Sequence, residues 1–294
     1  MNDRVVALTV FDDGTGPALY AGGNFTAAGG VGANSIAKWD GTSFSPLGGG
    51  LNASAETLTV FDDGTGPALY AGGFFTKAGG VSANHIAKWN GTSWSPLGSG
   101  ISGSVFALTV FDDGTGPALY AGGYFTTAGG VGASGIAKWD GTSWSPLGSG
   151  ISGTVGTLTV FDDGIGSALY VGGNFTMAGG VSANFIAKWD GTSWSPVGGG
   201  MSSPVWALTV FDDGTGPALY AGGSFFHAGG VSAKFIARWG GTIWSPLGIG
   251  MNNPLFALSV FDDGAGPALY AGGDFTTAGG VVSAYMARWS RHCP

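Results

Sequence analysis

The chain repeats itself every 50 residues, six times over, and this period limits the folds that it can adopt. The segment Val-Phe-Asp-Asp-Gly begins at residues 10, 60, 110, 160, 210 and 260, and a tryptophan recurs at the same step from Trp39 to Trp289. A period of about 50 residues is typical of propeller blades and exceeds that of most helical repeats. Helical repeats also need long stretches without Gly or Pro, whereas this chain has 60 Gly and 13 Pro among 294 residues.

Each repeat contains the pattern of four short strands. In repeat one we expect strand A at residues 5–11, strand B at 18–22, strand C at 36–39 and strand D at 43–47, with a Gly-rich loop between B and C. An Asp-Gly pair separates strands C and D, which indicates a tight hairpin because Gly supplies the positive φ of such a turn. Strands joined in this way form an antiparallel meander. The sequence therefore predicts an all-β, six-bladed β-propeller built from six four-stranded repeats.

The six repeats predict a single domain over residues 1–294. Its blades should lie at about 1–50, 51–100, 101–150, 151–200, 201–250 and 251–294. Strand D carries proline in repeats one to five, and proline is largely confined to sheet edges, so strand D should be outermost and strand A innermost. Repeat six stops before its strand D, so its strand C should be an exposed edge. Such an edge can pair with another chain, and self-association there is one expected partner interaction.

Two segments of each repeat resemble those of the kelch family. In repeat one they are Leu-Tyr-Ala-Gly-Gly at residues 19–23 and Ile-Ala-Lys-Trp-Asp at residues 36–40, closed by the aromatic Phe44. The repeats are even more similar to the Gly-rich propeller repeats of cell-polarity marker proteins and bacterial surface proteins. The resemblance implies a propeller throughout but no particular activity, because propellers include enzymes, lectins and adaptors.

Charge and composition exclude several classes of partner. The formal net charge is -8 and the 10 Lys and Arg residues do not cluster, which argues against nucleic acid. The single cysteine, Cys293, allows no disulfide within the chain. No apolar run is long enough to span a bilayer. We expect an extracellular or cell-surface location, although no signal peptide is visible.

Antiparallel pairing places the A–B and C–D turns at one end of every blade, and the B–C loops and D–A connections at the other. We name these the turn end and the loop end. The turn end carries six Asp-Asp pairs and 15 of the 18 acidic residues. Carboxylates can bind Ca²⁺, but we favour a role in capping the turns and expect no cofactor. The weak calcium candidates are Asp12, Asp13, Asp62, Asp63, Asp112 and Asp113.

The loop end is where the six repeats differ most from one another. The variable positions are those of Val6, which we expect at the D–A connection, and of Asn24, Ala27 and Ser35 in the B–C loop. Taken together, they are rich in aromatic residues. Loops on a rigid scaffold usually carry specificity, and aromatics with few charges suit a glycan or peptide. The other interpretation is that these loops are less constrained than the Asp-Asp-Gly turns. The candidate ligand-binding residues are Glu56, Phe106, Trp206, Phe256, Phe74, Tyr124, His85, Phe185, Phe235, Tyr285 and His227.

No catalytic constellation accompanies these residues. The three histidines, His85, His227 and His292, lie in different repeats without metal-ligand spacing, and no nucleophile elbow or P-loop is present. The recurring tryptophans of strands C and D should be core residues. We therefore predict a non-enzymatic scaffold that binds a glycan or protein partner through the loop end. The alternatives are a structural repeat module of a larger extracellular assembly or filament and, third, a glycan-active enzyme.

Overall fold

The computed structural model describes residues 1–290, in which every regular element is a β-strand. The fold is all-β and is that of a six-bladed β-propeller, as predicted. Five blades are four-stranded antiparallel sheets in the order A-B-C-D, and the sixth has three strands among the described residues. Cys293 and His292 lie outside the described part of the chain. Within residues 1–290 no helix is long and apolar enough to cross a membrane.

The contacts of the chain divide it into two compact units. One is Met1–Gly150, which holds blades one to three, and the other begins at Ile151 and holds blades four to six. In each unit the A strands of consecutive blades contact each other, and strand D is the edge of every four-stranded sheet. The predicted order of the strands within a blade is therefore confirmed. The single-domain organisation stays a prediction.

The strands have nearly the same bounds in all blades. Strand A occupies Val5–Asp12, Ala55–Asp62, Ser104–Asp112, Thr154–Asp162, Val205–Asp212 and Leu255–Asp262. Strand B occupies Pro17–Gly23, Pro67–Gly73, Pro117–Tyr124, Ser167–Asn174, Pro217–Gly223 and Pro267–Gly273. Strand C occupies Ile36–Trp39, Ile86–Trp89, Ile136–Trp139, Ile186–Trp189, Ile236–Trp239 and Met286–Ser290. Strand D occupies Phe44–Pro46, Trp94–Pro96, Trp144–Pro146, Trp194–Pro196 and Trp244–Pro246.

The B–C loop is more ordered than the sequence predicted. In every blade it contains a hairpin of two-residue strands, such as Lys77–Ala78 with Val81–Ser82 in blade two. Ala78 also forms a bridge with Leu51, in the connection from blade one. The hairpin is thus held by a segment that lies about half a repeat earlier in the sequence. The other hairpins are Ala27–Ala28 with Val31–Gly32, Thr127–Ala128 with Val131–Gly132, Met177–Ala178 with Val181–Ser182, His227–Ala228 with Val231–Ser232, and Thr277–Ala278 with Val281–Val282.

Consecutive blades within a unit pack through two different apolar faces. The trailing face of blade one carries Phe11, Tyr20 and Ile36, all buried. It packs on the leading face of blade two, which carries Leu58, Val60 and Leu69 on the opposite side of their strands. The two faces alternate along each strand because successive side chains of a strand point to opposite sides. We use the names trailing face and leading face for the equivalent residues of every blade.

The repeated tryptophans of blades two to five are core residues, as predicted, whereas Trp39 and Trp289 are half-buried. Trp89 and Trp94 are buried with ring centroids 5.3 Å apart. The Trp94 indole Nε1 donates a hydrogen bond of 3.0 Å to the carbonyl oxygen of Leu47, in the segment that leaves blade one. The same bond joins Trp144 to Leu97 at 3.1 Å. Trp244 donates in the same way to Val197 at 3.2 Å. The outer strand of each of these blades therefore holds the chain that leaves the preceding blade.

Candidate functional site

At the turn end, the first Asp of each pair closes the A–B turn. Asp12 Oδ1 accepts hydrogen bonds of 2.9 Å from the backbone N–H groups of Gly14 and Gly16. Both glycines have a positive φ, of 95° and 110°, so the turn combines a capping carboxylate with the backbone freedom of Gly. Capping satisfies backbone donors that the turn would otherwise leave without a partner.

The second Asp of the pair forms a network that the sequence analysis did not identify. Asp13 Oδ2 accepts a hydrogen bond from the Tyr20 hydroxyl at 2.8 Å and pairs with the Lys38 ammonium at 2.5 Å. Lys38 also donates to Thr15 Oγ1 at 2.7 Å. The same Asp–Lys pair recurs in blades two to four at 2.5 to 2.6 Å. In blades five and six Arg238 and Arg288 replace Lys and pair at 3.4 and 3.5 Å.

The network lowers the pKa of its Asp and raises the pKa of its Tyr. Burial raises the pKa of Asp63, but hydrogen bonds from Lys88, Thr65 and Tyr70 outweigh it and hold that pKa at about 2. Burial, the negative charge of Asp213 and the hydrogen bond to it raise the pKa of Tyr220 to about 12. At neutral pH the Asp is therefore charged and the Tyr is a neutral donor.

These contacts bear directly on the calcium candidates. In blades one to three an ammonium nitrogen lies 2.5 to 2.6 Å from the second Asp, so a cation already occupies the place beside that carboxylate. Among residues 1–290 no group of three or more His, Cys, Asp or Glu side chains is arranged to hold a metal ion. The hydrogen bonds favour turn capping, and calcium binding stays a prediction.

At the loop end, the positions equivalent to Val6 lie inside strand A and not in the D–A connection. They sit at a β-bulge, for instance between Val105 and Ala107, where the register with strand B shifts. A bulge leaves one residue without a ladder partner and re-aims its side chain. In blade three that residue is Phe106. The bulge explains why this position tolerates residues as different as Glu56, Gly156 and Trp206.

Two of the candidate aromatic residues meet in the first unit, and a third lies on the same blade as one of them. The rings of Phe74 and Phe106 meet edge to face, with centroids 5.6 Å apart. Tyr124 ends strand B of the blade that holds Phe106, opposite Ser104, and is 68% exposed. Phe74 is also exposed, whereas Phe106 is half-buried. We name Phe74, Phe106 and Tyr124 the aromatic cluster.

In the second unit the candidates differ in exposure, from the buried Phe235 to the exposed Phe256. The half-buried Trp206 covers Gly156, where an added Cβ would lie 3.2 Å from the ring. Its indole Nε1 donates to Ser224 Oγ at 3.0 Å. Phe256 is exposed, whereas Phe235 is buried. The backbone N–H of the exposed His227 donates to the Ser202 hydroxyl at 3.0 Å.

The position that begins with Ser35 has an unusual backbone in every blade. Its residues adopt a left-handed conformation with φ between 61° and 67°, although only the residue of blade three is Gly. Non-glycine residues pay about 1–2 kcal/mol for this conformation. Tyr285 is exposed, and His85 and Phe185 are half-buried. The affected residues are Ser35, His85, Gly135, Phe185, Phe235 and Tyr285.

Two polar candidates are held by neighbours within their own blade. Ser54 Oγ donates to Glu56 Oε1 at 2.5 Å, and His85 Nδ1 lies 3.2 Å from the carbonyl oxygen of Gly73. Both side chains are half-buried. These contacts give each group a structural role.

A cavity of about 280 Å³ at the loop end of the second unit contains residues that the sequence analysis missed. Phe226, Lys234 and Ile249 line it, and the rings of Phe226 and Phe235 are 4.8 Å apart. The sequence held a clue to this cavity. Phe226 replaces the Thr of the other five repeats, and Ile249 replaces a Gly or Ser.

Comparison with known proteins identifies the fold. A family model described as the Rax2 C-terminal β-propeller domain matches residues 33–213, more than half of the chain. No curated protein sequence matches the chain.

Three solved structures are similar. The designed Ika8 protein is 16% identical with a TM-score of 0.55, and the match covers 99% of this chain and 72% of that chain. The extracellular domain of a hybrid two-component system from B. thetaiotaomicron is 15% identical with a TM-score of 0.55, over 91% and 30%. An ancestral GH74 enzyme is 15% identical with a TM-score of 0.59, over 92% and 35%. The chain spans about a third of the last two, and at these identities the likeness concerns the fold alone.

Proposed function

The chain belongs to the Rax2 C-terminal β-propeller domain family, and on that fold we propose a non-enzymatic scaffold that recognises a glycan or protein partner through the loop end. The aromatic cluster carries this proposal. The exposed ring of Phe74 contacts Phe106. Tyr124 presents a second exposed ring at the end of strand B in the blade that holds Phe106, on a backbone held by strand pairing. An aromatic ring offers a large apolar surface with little side-chain entropy to lose, which suits the apolar face of a sugar or a peptide side chain.

The left-handed position adds a second line of support. Gly135 occupies it in blade three, so glycine fits there without the strain that the other residues bear. Strained residues cluster at functional sites because a side chain that is needed for function is kept even though its backbone conformation costs stability. Tyr285, which is strained and exposed, gains no burial that would offset its strain. Its ring is most simply explained by a role at the surface.

A catalytic role has less support. The acidic residues of the loop end are Asp3, Glu56 and Asp274, and Glu56 is engaged by Ser54. Glycosidase chemistry requires two carboxyl groups that face one site. We therefore propose a binding protein without enzymatic activity, located outside the cell or at its surface, with repeats of the kelch type.

The test replaces both exposed rings of the aromatic cluster. Glycan and peptide arrays are probed with the whole chain, with Phe74→Ala/Tyr124→Ala, and with the control Ile165→Ala. Ile165 is the best control because it is an 87% exposed apolar residue of a turn-end loop. We expect the double variant to lose at least about tenfold in affinity, which is about 1.4 kcal/mol, and the control to bind normally.

Two outcomes would contradict the proposal. Unchanged binding by the double variant would show that the binding site lies outside the aromatic cluster. If neither array yields a ligand, the structural repeat module becomes the better interpretation.

A further inference from the structure

The cavity at the loop end of the second unit is lined by residues in which blade five and its exit segment depart from the repeat. Phe226 replaces the Thr of the other five repeats, and Ile249 replaces a Gly or Ser. Lys234, which lines the same cavity, stands where the other repeats have Asn, Ser or Ala. Three departures from a nearly constant repeat therefore meet at one cavity of about 280 Å³.

These departures add little to the buried core. Phe226 is 51% exposed and Ile249 is 67% exposed, although both are apolar. An apolar side chain stabilises a fold in proportion to the area that it removes from water, and these two leave half or more of theirs in solvent. Packing of the chain alone does not account for them, whereas a ligand that covers them would.

The walls of the cavity are largely apolar. The rings of Phe226 and Phe235 meet edge to face with centroids 4.8 Å apart, and Met251 lines the cavity with them. Ile249 reaches the hairpin of blade six, since a Cβ added to Gly280 would lie 3.0 Å from Ile249 Cδ1. Pockets for small molecules are built in this way, with apolar and aromatic walls and a few polar groups that orient the ligand.

Lys234 supplies the one charge among the described residues that line the cavity. Six of the nine Lys and Arg side chains in residues 1–290 pair with Asp at the turn end. Lys234 is exposed and has no such partner in that part of the chain. The amide of Asn252, which also lines the cavity, is already engaged with Thr276 and with the Thr277 N–H. A ligand therefore meets apolar walls and one available cation.

We propose that this cavity binds a carboxylate that is joined to an apolar group. The carboxylate pairs with Lys234, and the apolar group lies against Phe226 and Ile249. The volume suits a small ligand, because pockets for drug-sized molecules measure about 300–1,000 Å³. A sugar fits these walls less well, since many of its hydroxyl groups would lose water without gaining a partner.

The same chemistry has two sources, a free organic acid and the apolar C-terminal residue of a polypeptide. Both present one carboxylate beside an apolar side chain. The experiment therefore contains one probe of each kind.

The cavity is independent of the aromatic cluster. The cluster belongs to the unit Met1–Gly150, whereas every residue named here as lining the cavity belongs to the second unit. Phe74→Ala/Tyr124→Ala should therefore bind the cavity probe like the wild type. Either proposal can fail without the other.

The experiment titrates the whole chain with 3-phenylpropanoate and with the neutral 3-phenylpropanamide, followed by saturation-transfer NMR. The two probes share a ring and differ in charge, so the acid should bind roughly fivefold more tightly, as expected of one exposed ion pair. Lys234→Asn should bind the two probes equally, because it removes the cation. Phe226→Thr should weaken the binding of both probes, because it removes the apolar wall that they share.

The variants keep the fold, since Asn and Thr occupy these positions in other repeats, and circular dichroism checks this. Lys77→Asn is the matched control, because Lys77 is an exposed lysine in the B–C loop of blade two. It should retain the preference for the acid. An acetylated tripeptide that ends in Phe with a free carboxylate is the second probe.

Binding of the tripeptide as tight as that of 3-phenylpropanoate supports a chain end as the ligand. Binding of 3-phenylpropanoate alone supports a free organic acid. The proposal is overturned if the wild type binds neither probe at millimolar concentration. It is equally overturned if the folded Lys234→Asn variant still prefers the acid to the amide.

Discussion

The turn end and the loop end of a blade are built from the same strands but are held in different ways. At the turn end side chains make the structure, as in the contacts of Asp13 with Tyr20 and Lys38. At the loop end, backbone hydrogen bonds hold the segments around the variable positions, as where the His85 N–H donates to the Phe75 carbonyl and the Gly73 N–H donates to the His85 carbonyl. A side chain such as Asn52 caps the hairpin by accepting from the N–H groups of Thr76 and Lys77. A backbone hydrogen bond does not depend on the side chain. This explains why residue identity is nearly constant at one end and free to change at the other.

The comparison also limits what variation alone can prove. Residue identity can vary at the loop end because backbone hydrogen bonds hold it, so the variation by itself is no evidence of a ligand. What the backbone bonds do not explain is that the varying residues include exposed aromatic rings such as Phe74 and Tyr124. The exposed rings are therefore the stronger sign of function. Five predictions test the difference between the two ends.

The largest expected effect is acid unfolding driven by the turn end. The pKa values of Asp63 and Asp113 are held at about 2 in the folded chain, below their ordinary 3.8. A lowered folded-state pKa stabilises the fold above the ordinary value, and this stabilisation is lost as the pH falls towards 2. Urea midpoints measured at pH 7, 4, 3 and 2 should therefore fall mainly below pH 4. A constant midpoint down to pH 2 would contradict the role of these carboxylates.

The next effect concerns one carboxylate of the turn end. Asp113→Ala should destabilise the fold by about 2 kcal/mol, because it leaves a nearly buried Lys138 ammonium and the Tyr120 hydroxyl without their partner. Asp213→Ala is the matched change in blade five, where the pair with Arg238 is longer, at 3.4 Å, and more exposed. It should cost less. Denaturant titration of both variants measures the difference, and equal losses would refute the argument from burial.

Substitution of two tyrosines of blade three compares how much side chains stabilise the turn end and the loop end. Tyr120 is fully buried and donates to Asp113 at 2.9 Å, so Tyr120→Phe should cost about 1.5 kcal/mol. Tyr124 is exposed, so Tyr124→Ala should change stability by less than about 0.5 kcal/mol. Thermal and urea unfolding of both variants provide the values. A larger loss for Tyr124→Ala would mean that the variable side chains of the loop end also stabilise the fold.

A smaller gain is expected from relief of backbone strain. Tyr285→Gly removes a strain of about 1–2 kcal/mol but adds about 0.5–1 kcal/mol of unfolded-chain entropy, so the net gain should be about 0.5–1 kcal/mol. Gly135→Ala should show an effect of opposite sign, because Gly135 has the same φ of 66°. Chemical denaturation of the two variants tests whether their stability changes have opposite signs. A destabilised Tyr285→Gly would show that the ring contributes to the fold.

The smallest expected effect is that of calcium. Because Lys38 and its equivalents already neutralise the second Asp, millimolar Ca²⁺ should leave the melting temperature unchanged, and a chelator should do the same. A ligand that binds only the folded chain would raise the melting temperature. A clear rise with Ca²⁺ would restore the six candidate carboxylates as a metal site.

The blade count, the strand order and the burial of the tryptophans could be predicted because they follow from periodicity and hydrophobic pattern. The network of Asp13 could have been inferred as well, because Tyr20 and Lys38 recur in register on paired strands. The contact of Phe74 with Phe106 could not be predicted, since it joins two blades and depends on how they pack. The loop hairpins were missed because their stability comes from tertiary bridges such as Leu51 to Ala78.

The indole hydrogen bonds between consecutive blades have a consequence for synthesis of the chain. The carbonyl of Leu47 can accept its hydrogen bond only after Trp94 has been synthesised, 47 residues later in the sequence. At about 5–20 residues per second, translation needs roughly 2–9 seconds to cover that distance. The segment that leaves a blade therefore lacks this hydrogen bond until nearly the whole of the following blade has been made. Folding should follow synthesis with a delay of about one repeat.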